Sequence, residues 1–574
     1  MPRKIYRMLV AAGVAAMTLA PNATPQRSAQ GRSMVMTRGG IVAAESPLAA
    51  QAGAQAMARG GSAVDAAIAA NAVMGVVSPM MNGIGGDLFA MVYDAKTGKR
   101  YGMNASGWAP RGLTPEHLRA KGVTKMPEFG VDTVTVPGAA DGWVKLHEKF
   151  GRRPLAEDLA AAARIADEGF PVTEWVSLYW EHSVLSRHED AAATKLYLPG
   201  GRAPRVGEIF KNPELAAALR RIGERGHDGF YRGETAEKIL AAEKRFDGTM
   251  TAEDLSDFSA EWVEPISTTY RGWTVYEMPP NGQGIAALLM LNILGKFDFS
   301  EAKQNSAEVL HTEIEAKKLA YADMLRYVAD PRFAKVPVGA LLAPEHTAAR
   351  AAQIDARHAH CDVAPLEVPE GPGGWGAGGS EPPRAGDTTF LVAVDREGNM
   401  VSLIQSNYDH FGSGIVADGA GFALQNRGAL FSLDAESPNV LAGRKRPLHT
   451  IIPAQMEKGS VRIAFGIMGG WNQSQAHAQF VVDVADFGFN IQAALEAPRF
   501  TKLDFAGCDV MMEDGIPDAV RAELAARGHV IQVLHGYSAS VGGGQAVMRD
   551  FATGVNYGAS DPRKDGEAIP EPEK

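Results

Sequence analysis

The stretch Gly386–Phe390, "GDTTF", joins two kinds of text. Upstream, residues 363–387 ("VAPLEVPEGPGGWGAGGSEPPRAGD") are dominated by Gly and Pro, a composition that predicts a mobile tract rather than a core element. Downstream, "TTFLVAVDREGNMVSLIQS" reads as strand, turn, strand. Two readings compete. In the first, the tract is a linker and the threonines simply open a strand. In the second, the chain is cut between Asp387 and Thr388, and Thr388 becomes a chain end that carries a nucleophile. A mid-chain threonine hydroxyl needs a separate base. A terminal one has its own, because an α-amine of pKa about 7.7–8.0 is partly neutral near pH 7 and can take the hydroxyl proton.

The rest of the chain sets bounds on both readings. It has 574 residues and a formal net charge of −10, which argues against wholesale nucleic-acid binding. Arg3, Lys4 and Arg7 precede the apolar run Met8–Ala20, which is short for a membrane span. Residues 1–23 therefore read as a signal peptide for a periplasmic or secreted protein, with a membrane anchor as the alternative. No later segment is apolar enough to span a membrane. Two cysteines, Cys361 and Cys508, permit one disulfide without requiring it.

Patterning along the chain predicts a layered α/β fold. Gly40–Val77 reads as small-residue helices broken at Arg59–Gly61, and "LFAMVYDAKTGKRYGMNASG" as two strands around a turn. Residues 154–258 read as helical. "TVYEMPPNGQGIAALLMLNIL" reads as strand, Gly-rich turn and helix, and "SAEVLHTEIEAKKLAYADMLRYVAD" as a long helix. The expected organisation is a helix-rich first part and a second part that opens on strands.

Taken in order, "GGSAVDAAIAANAV", "NGIGGDLFAMVYD", "VPGAADGW", "YEMPPNGQGIAALLMLNIL", "GDTTFLVAVDREGNMVS", "FGSGIVADGAGFALQN", "KRPLHTIIP", "GIMGG", "APRF" and "YGASDPR" resemble the γ-glutamyltransferase (glutathione hydrolase) family over nearly the whole chain. The resemblance implies an N-terminal-nucleophile hydrolase fold, a four-layer αββα sandwich. It implies self-cleavage at Asp387–Thr388 into a large subunit, 24–387, with a flexible tail at 363–387, and a small subunit, 388–574. It also implies Thr388 as nucleophile, Ser406 as the hydroxyl beside it, and Gly469 and Gly470 as the oxyanion-hole pair. The partners are then a small-molecule amide and the two subunits of one precursor, and no cofactor or metal is called for.

Several positions depart from the family pattern. Ser106 occupies the place of an arginine that clamps the substrate's α-carboxylate, and Leu430 the place of an acid that pairs its α-ammonium. Tyr408 replaces an asparagine. His449 and Thr450 occupy the place of two adjacent serines. Losing a bidentate clamp and its partner acid argues against ordinary γ-glutamyl binding. Arg427, after Asn426, is the compensating candidate, expected to hold a carboxylate on an acyl group without the amine, as in glutaryl acylases and oxamate amidohydrolases. Its bland alternative is an arginine paired with an internal acid. His410 and Trp471 are further candidates for the pocket mouth. "RHAHCD" (Arg357–Asp362) brings His358, His360 and Cys361 together, but reads as a solvated helix end rather than a metal site. "NGIGGD" lacks the Lys–Ser/Thr of a phosphate loop. The alternative class to an enzyme is a catalytically silent binding protein.

Overall fold

The computed structural model describes residues 30–183, 190–369 and 387–573. Residues 1–23, and residues 370–386 of the Gly/Pro tract, lie outside them. The strand that opens on the threonine pair runs Asp387–Val394 and is buried at every position after the first. Its partner, Met400–Tyr408, is buried throughout. A strand covered on both faces reads as continuous apolar text rather than an alternation, which is why "FLVAV" carries no polar face.

These strands are the middle of a seven-stranded antiparallel sheet in the order Glu567–Pro570, Ile41–Ala44, Asp387–Val394, Met400–Tyr408, Asp87–Asp94, Lys99–Ala105, Glu261–Val263. A second seven-stranded antiparallel sheet runs Val35–Thr37, Val555–Ser560, Gly544–Asp550, Val461–Ile467, Ala454–Lys458, Trp273–Glu277, Ile266–Tyr270. The two sheets face each other. Pro47–Ala58 and Ala63–Val77 cover the outer face of the first, and Gly284–Leu294, Gln473–Ala485 and Ile491–Glu496 that of the second. The result is the four-layer αββα sandwich that the family resemblance implied.

Helix Ala63–Val77 shows how composition serves the layers. Ser62 caps it in a reciprocal box with Asp65. All of its residues are buried, and its alanines let the helix lie against both the sheet and helix Pro47–Ala58. Between the sheets, close approach needs a missing side chain. A Cβ on Gly466 would stand 2.5 Å from the Phe390 ring.

Two expectations need correction. Ile41–Ala44 is a strand, not helix; four buried apolar residues carry no period by which to tell the two apart. The helix-rich first part and the strand opening of the second are as expected, and each sheet draws strands from both sides of Thr388. Finally, residues 363–369 are docked rather than loose. The Leu366 amide donates to Asp323 Oδ1 at 2.8 Å, the Tyr327 hydroxyl to the Leu366 carbonyl at 2.9 Å, and Arg350 Nη1 to the Ala364 carbonyl at 3.0 Å. Composition undervalued these side-chain partners. Among the described residues no helix is long and apolar enough to cross a membrane.

Gly466→Ala forces the Phe390 ring out of its packing. The expected loss is about 1–3 kcal/mol, read as a lower denaturant midpoint for the full chain.

Candidate active site

The ladder between Asp387–Val394 and Met400–Tyr408 slips at one point. Asp387 pairs with Tyr408 and Thr389 with Gln405, so Ser406 and Asn407 together stand opposite Thr388. This is a β-bulge, a device that re-aims a side chain. Tyr408 absorbs the turn with a φ of +79°. The bulge brings the Ser406 hydroxyl to the Asp387–Thr388 peptide. Ser406 Oγ donates to the Asp387 carbonyl at 2.6 Å, and accepts from the Tyr408 amide at 2.8 Å and from Thr388 Oγ1 at 3.4 Å. One donor and two acceptor sites are all that a serine hydroxyl has. Thr388 and Ser406 are both buried.

Gly469 and Gly470 follow strand Val461–Ile467 with φ of +126° and +55°, backbone that glycine adopts without strain. Among the described residues no group accepts from either amide N–H. Phe390 lies against Gly466, while Ser402, opposite Val392, bonds the Phe465 carbonyl at 3.2 Å. The facing strands therefore run toward Thr388 and toward Met468 at the same end. Gln283 holds the loop from behind, donating to the Gly470 carbonyl at 2.8 Å and to the Thr450 carbonyl at 2.5 Å.

A second cluster is built on Asp87, the last residue of "NGIGGD". Its buried carboxylate accepts from the Gly107 amide at 2.8 Å, Gln425 Nε2 at 2.7 Å and His449 Nε2 at 2.9 Å. The Ile451 amide bonds His449 Nδ1 at 3.3 Å, so the imidazole is neutral with its proton on Nε2. Burial and the nearby Arg427 charge push its pKa down to about 4. Arg427 is fully buried. Its Nη1 donates to Thr450 Oγ1 at 2.8 Å, its guanidinium lies 4.5 Å from the Tyr408 ring centre, and its Nε is 4.0 Å from Asp87. Among the described residues Nε and Nη2 have no hydrogen-bond partner. Burial lowers its pKa to about 10, so it stays a cation at neutral pH.

Other expected residues fall into place around these clusters. Ser106 is buried and its Oγ accepts from Asn281 Nδ2 at 3.2 Å. Asn426 spends its side chain on backbone, bonding the Glu128 carbonyl at 2.8 Å and the Asp409 amide at 3.0 Å. Leu430 is in the apolar core. Trp471 is fully buried against Phe505. Cys361 and Cys508 form a disulfide. Helix Pro344–Ala351 ends well before His358, so "RHAHCD" is a tethered loop rather than a helix end.

A different trio, His311, Glu315 and His529, brings potential ligand atoms within 4.8 Å of one another. There the histidines bond each other at 2.8 Å and Lys318 Nζ is 2.6 Å from Glu315, so an ammonium already holds the place a metal ion needs. Sequence reasoning missed Asp87, Asn281, Gln283, Glu45 and Lys564. Asp87 and Lys564 stand in or beside quoted motifs, and an acid entering an otherwise apolar strand was the available signal for Asp87.

A four-layer αββα frame that presents a hydroxyl residue at the start of a central strand defines an N-terminal-nucleophile hydrolase fold. The chain belongs to the gamma-glutamyltranspeptidase family, whose model matches residues 49–571. It is 34% identical over 529 residues to the glutathione hydrolase-like YwrD proenzyme of Bacillus subtilis, covering 91% of this chain and 96% of that protein. It is 33% identical over 543 residues to the oxamate amidohydrolase proenzyme of Klebsiella pneumoniae, covering 92% and 98%. The crystal structure of cephalosporin acylase from Bacillus halodurans superposes with a TM-score of 0.87 at 41% identity, over 96% of this chain and 99% of that one.

The neutral His449 gives a pH signature. Between about 4 and its ordinary 6.5 the unfolded chain binds a proton that the folded chain refuses. Stability therefore falls as pH drops through this window, by on the order of 3 kcal/mol for this group. Unfolding curves from pH 7 to 4 should show that slope, and His449→Gln should remove this part of it.

Proposed function

We propose that the chain is a self-cleaving amide hydrolase whose nucleophile is Thr388. The observation that carries this is the Ser406 hydroxyl, 2.6 Å from the Asp387 carbonyl oxygen and 3.4 Å from Thr388 Oγ1. Ser406 polarises the carbonyl that Thr388 is set to attack. In self-cleavage, Thr388 Oγ bonds to the Asp387 carbonyl carbon and the C–N bond breaks. The hydroxyl proton ends on the freed nitrogen, and water hydrolyses the resulting ester. The new α-amine then serves as base for Thr388 in turnover. The unengaged amides of Gly469 and Gly470 are the donors for the substrate oxyanion. Proenzyme relatives support the reading. The products would be subunits 24–387 and 388–574, held together because both contribute strands to both sheets.

For the substrate, we infer an acyl group that carries a carboxylate and no α-amine. Arg427 supports this: a buried cation whose neighbouring carboxylate, Asp87, is already taken by three donors has two nitrogens left to bond an anion. The relatives named for oxamate and for cephalosporin agree with a non-γ-glutamyl acyl group. Hydrolysis rather than transfer is the proposed outcome. Export to an oxidising compartment is supported by the Cys361–Cys508 disulfide.

Wild-type protein should resolve on a denaturing gel into bands of about 39 and 20 kDa, sizes that assume cleavage at the nucleophile. Thr388→Ala should remain one band and be inactive. A wild-type chain that stays intact while turning over substrate overturns the assignment. Of the two anilides, glutaryl should be hydrolysed faster than γ-glutamyl, and Arg427→Met should lower kcat/KM for the former by about 10- to 100-fold. A preference for the γ-glutamyl compound defeats the substrate reading alone.

A further inference from the structure

Asp387 supplies the carbonyl of the bond proposed to be cut, and its side chain packs against a histidine. Its carboxylate meets His410 Nδ1 at 2.5 Å. His410 follows the strand that carries Ser406 and Tyr408, and its Nδ1 is also 3.3 Å from Ser183 Oγ. On another side is Lys564, in the turn between strands Val555–Ser560 and Glu567–Pro570. Its ammonium lies 3.9 Å from the Tyr179 ring centre and 3.9 Å from Met81 Sδ, fully buried among protein groups. Tyr179 comes from helix Glu174–His182. These segments pack around the Asp387–His410 contact: Ser183 lies on His410, and Lys564 lies on Tyr179, whose ring centre is 6.3 Å from that of His410.

The charges around it are of both signs. Glu45 faces the group from the turn before helix Pro47–Ala58 and bonds the Phe390 amide at 2.7 Å. Burial raises its pKa to about 8, so it is largely uncharged at neutral pH. Asp409 bonds the His410 amide at 2.8 Å, and burial raises its pKa as well. Asp387 goes the other way: His410 and Lys564 outweigh its burial and hold its pKa below the ordinary range. His410 is correspondingly raised, chiefly by the Asp387 charge working against its own burial. Of the acids here, Asp387 is the one whose pKa is held below its ordinary value.

We propose that His410, in contact with the Asp387 carboxylate, and Lys564, through its buried charge packed on Tyr179, are positioning residues for self-cleavage, orienting that carboxylate so that its carbonyl faces the Thr388 and Ser406 hydroxyls. The inference rests on the self-cleavage reading above. Fixing the side chain fixes the orientation about the Asp387 Cα, and with it the plane of the carbonyl. Neither residue touches the atoms that react. An anchored carbonyl makes the attack an event of orientation, where small misplacements carry large rate penalties.

The grip exists only while Asp387 is anionic and His410 cationic. Cleavage should be fastest between their two pKa values, slow as pH rises through the raised value of His410, and slow again as pH falls through the lowered value of Asp387.

The test uses full-length precursor made by cell-free translation and chased at several pH values, with the cut located by intact mass. Wild type should cut between Asp387 and Thr388, and Thr388→Ala should not. Asp387→Asn and His410→Ala should cut about 10- to 100-fold more slowly and lose the alkaline decline, with Lys564→Met slowed in the same sense. If wild type cuts elsewhere, or Thr388→Ala cuts, the self-cleavage reading falls and this inference with it. If wild type and Thr388→Ala behave as stated, while Asp387→Asn keeps both the rate and the pH profile of wild type, only the positioning role is overturned. A purely structural role for His410 would lower the melting temperature without moving the pH profile. Should His410→Ala fail to fold, the Asp387→Asn and Lys564→Met profiles decide.

Discussion

The hydrogen bond from Ser406 Oγ to the Asp387 carbonyl is the contact around which the site is organised. It exists because the strand pair is out of register by one residue at Thr388. In an uninterrupted ladder a carbonyl on a central strand has its backbone partner across the sheet. Here the bulge hands that carbonyl to a side chain. A hydroxyl can both donate to the carbonyl and accept from the neighbouring threonine, which an amide N–H cannot do. One irregularity in an otherwise regular, buried strand pair therefore sets the proposed scissile bond apart from its neighbours.

Burial makes the surrounding charges consequential. Asp87 collects three donors and lies within 4.0 Å of Arg427, so its carboxylate is satisfied largely without the arginine. That leaves the guanidinium under-paired in a region where unpaired donors are costly. The bland reading of Arg427, an arginine paired with an internal acid, is met by Asp87, but at 4.0 Å the pair is beyond hydrogen-bonding distance and leaves donors of the guanidinium unused. The neutral, doubly bonded His449 adds no positive charge of its own.

Much of this was legible in the sequence, and the exceptions have physical causes. The strand pair, the long helices and the turn at Gly469–Gly470 were readable because each has a period or a turn residue that announces it. Ile41–Ala44 was not, since a fully buried strand has no polar face. The bulge was invisible for a different reason. Register is a relation between two strands, and nothing in "IQSNY" states that two of its residues will share one partner. Lys564 and Glu45 come near Asp387 from 177 and 342 residues away along the chain, a proximity that the two-sheet topology creates.

The same topology would let the chain tolerate the proposed break at the start of a central strand. Asp387–Val394 is flanked by Ile41–Ala44 and Met400–Tyr408, one from each side of Thr388 in sequence. Beyond Ile41–Ala44 the sheet returns to the C-terminal Glu567–Pro570. Ladder hydrogen bonds and side chains packed between the sheets, not the covalent bond at 387–388, hold these strands in place. Scission would add a charged amine and a carboxylate to a buried site, an unfavourable change unless the new groups find partners or water. The amine forms beside the Ser406 hydroxyl. The carboxylate forms on a residue whose side chain already contacts His410 and lies near the Lys564 charge. A second negative charge on that residue strains the accommodation that favoured the intact bond, and so favours withdrawal of the new chain end from the nucleophile it has exposed.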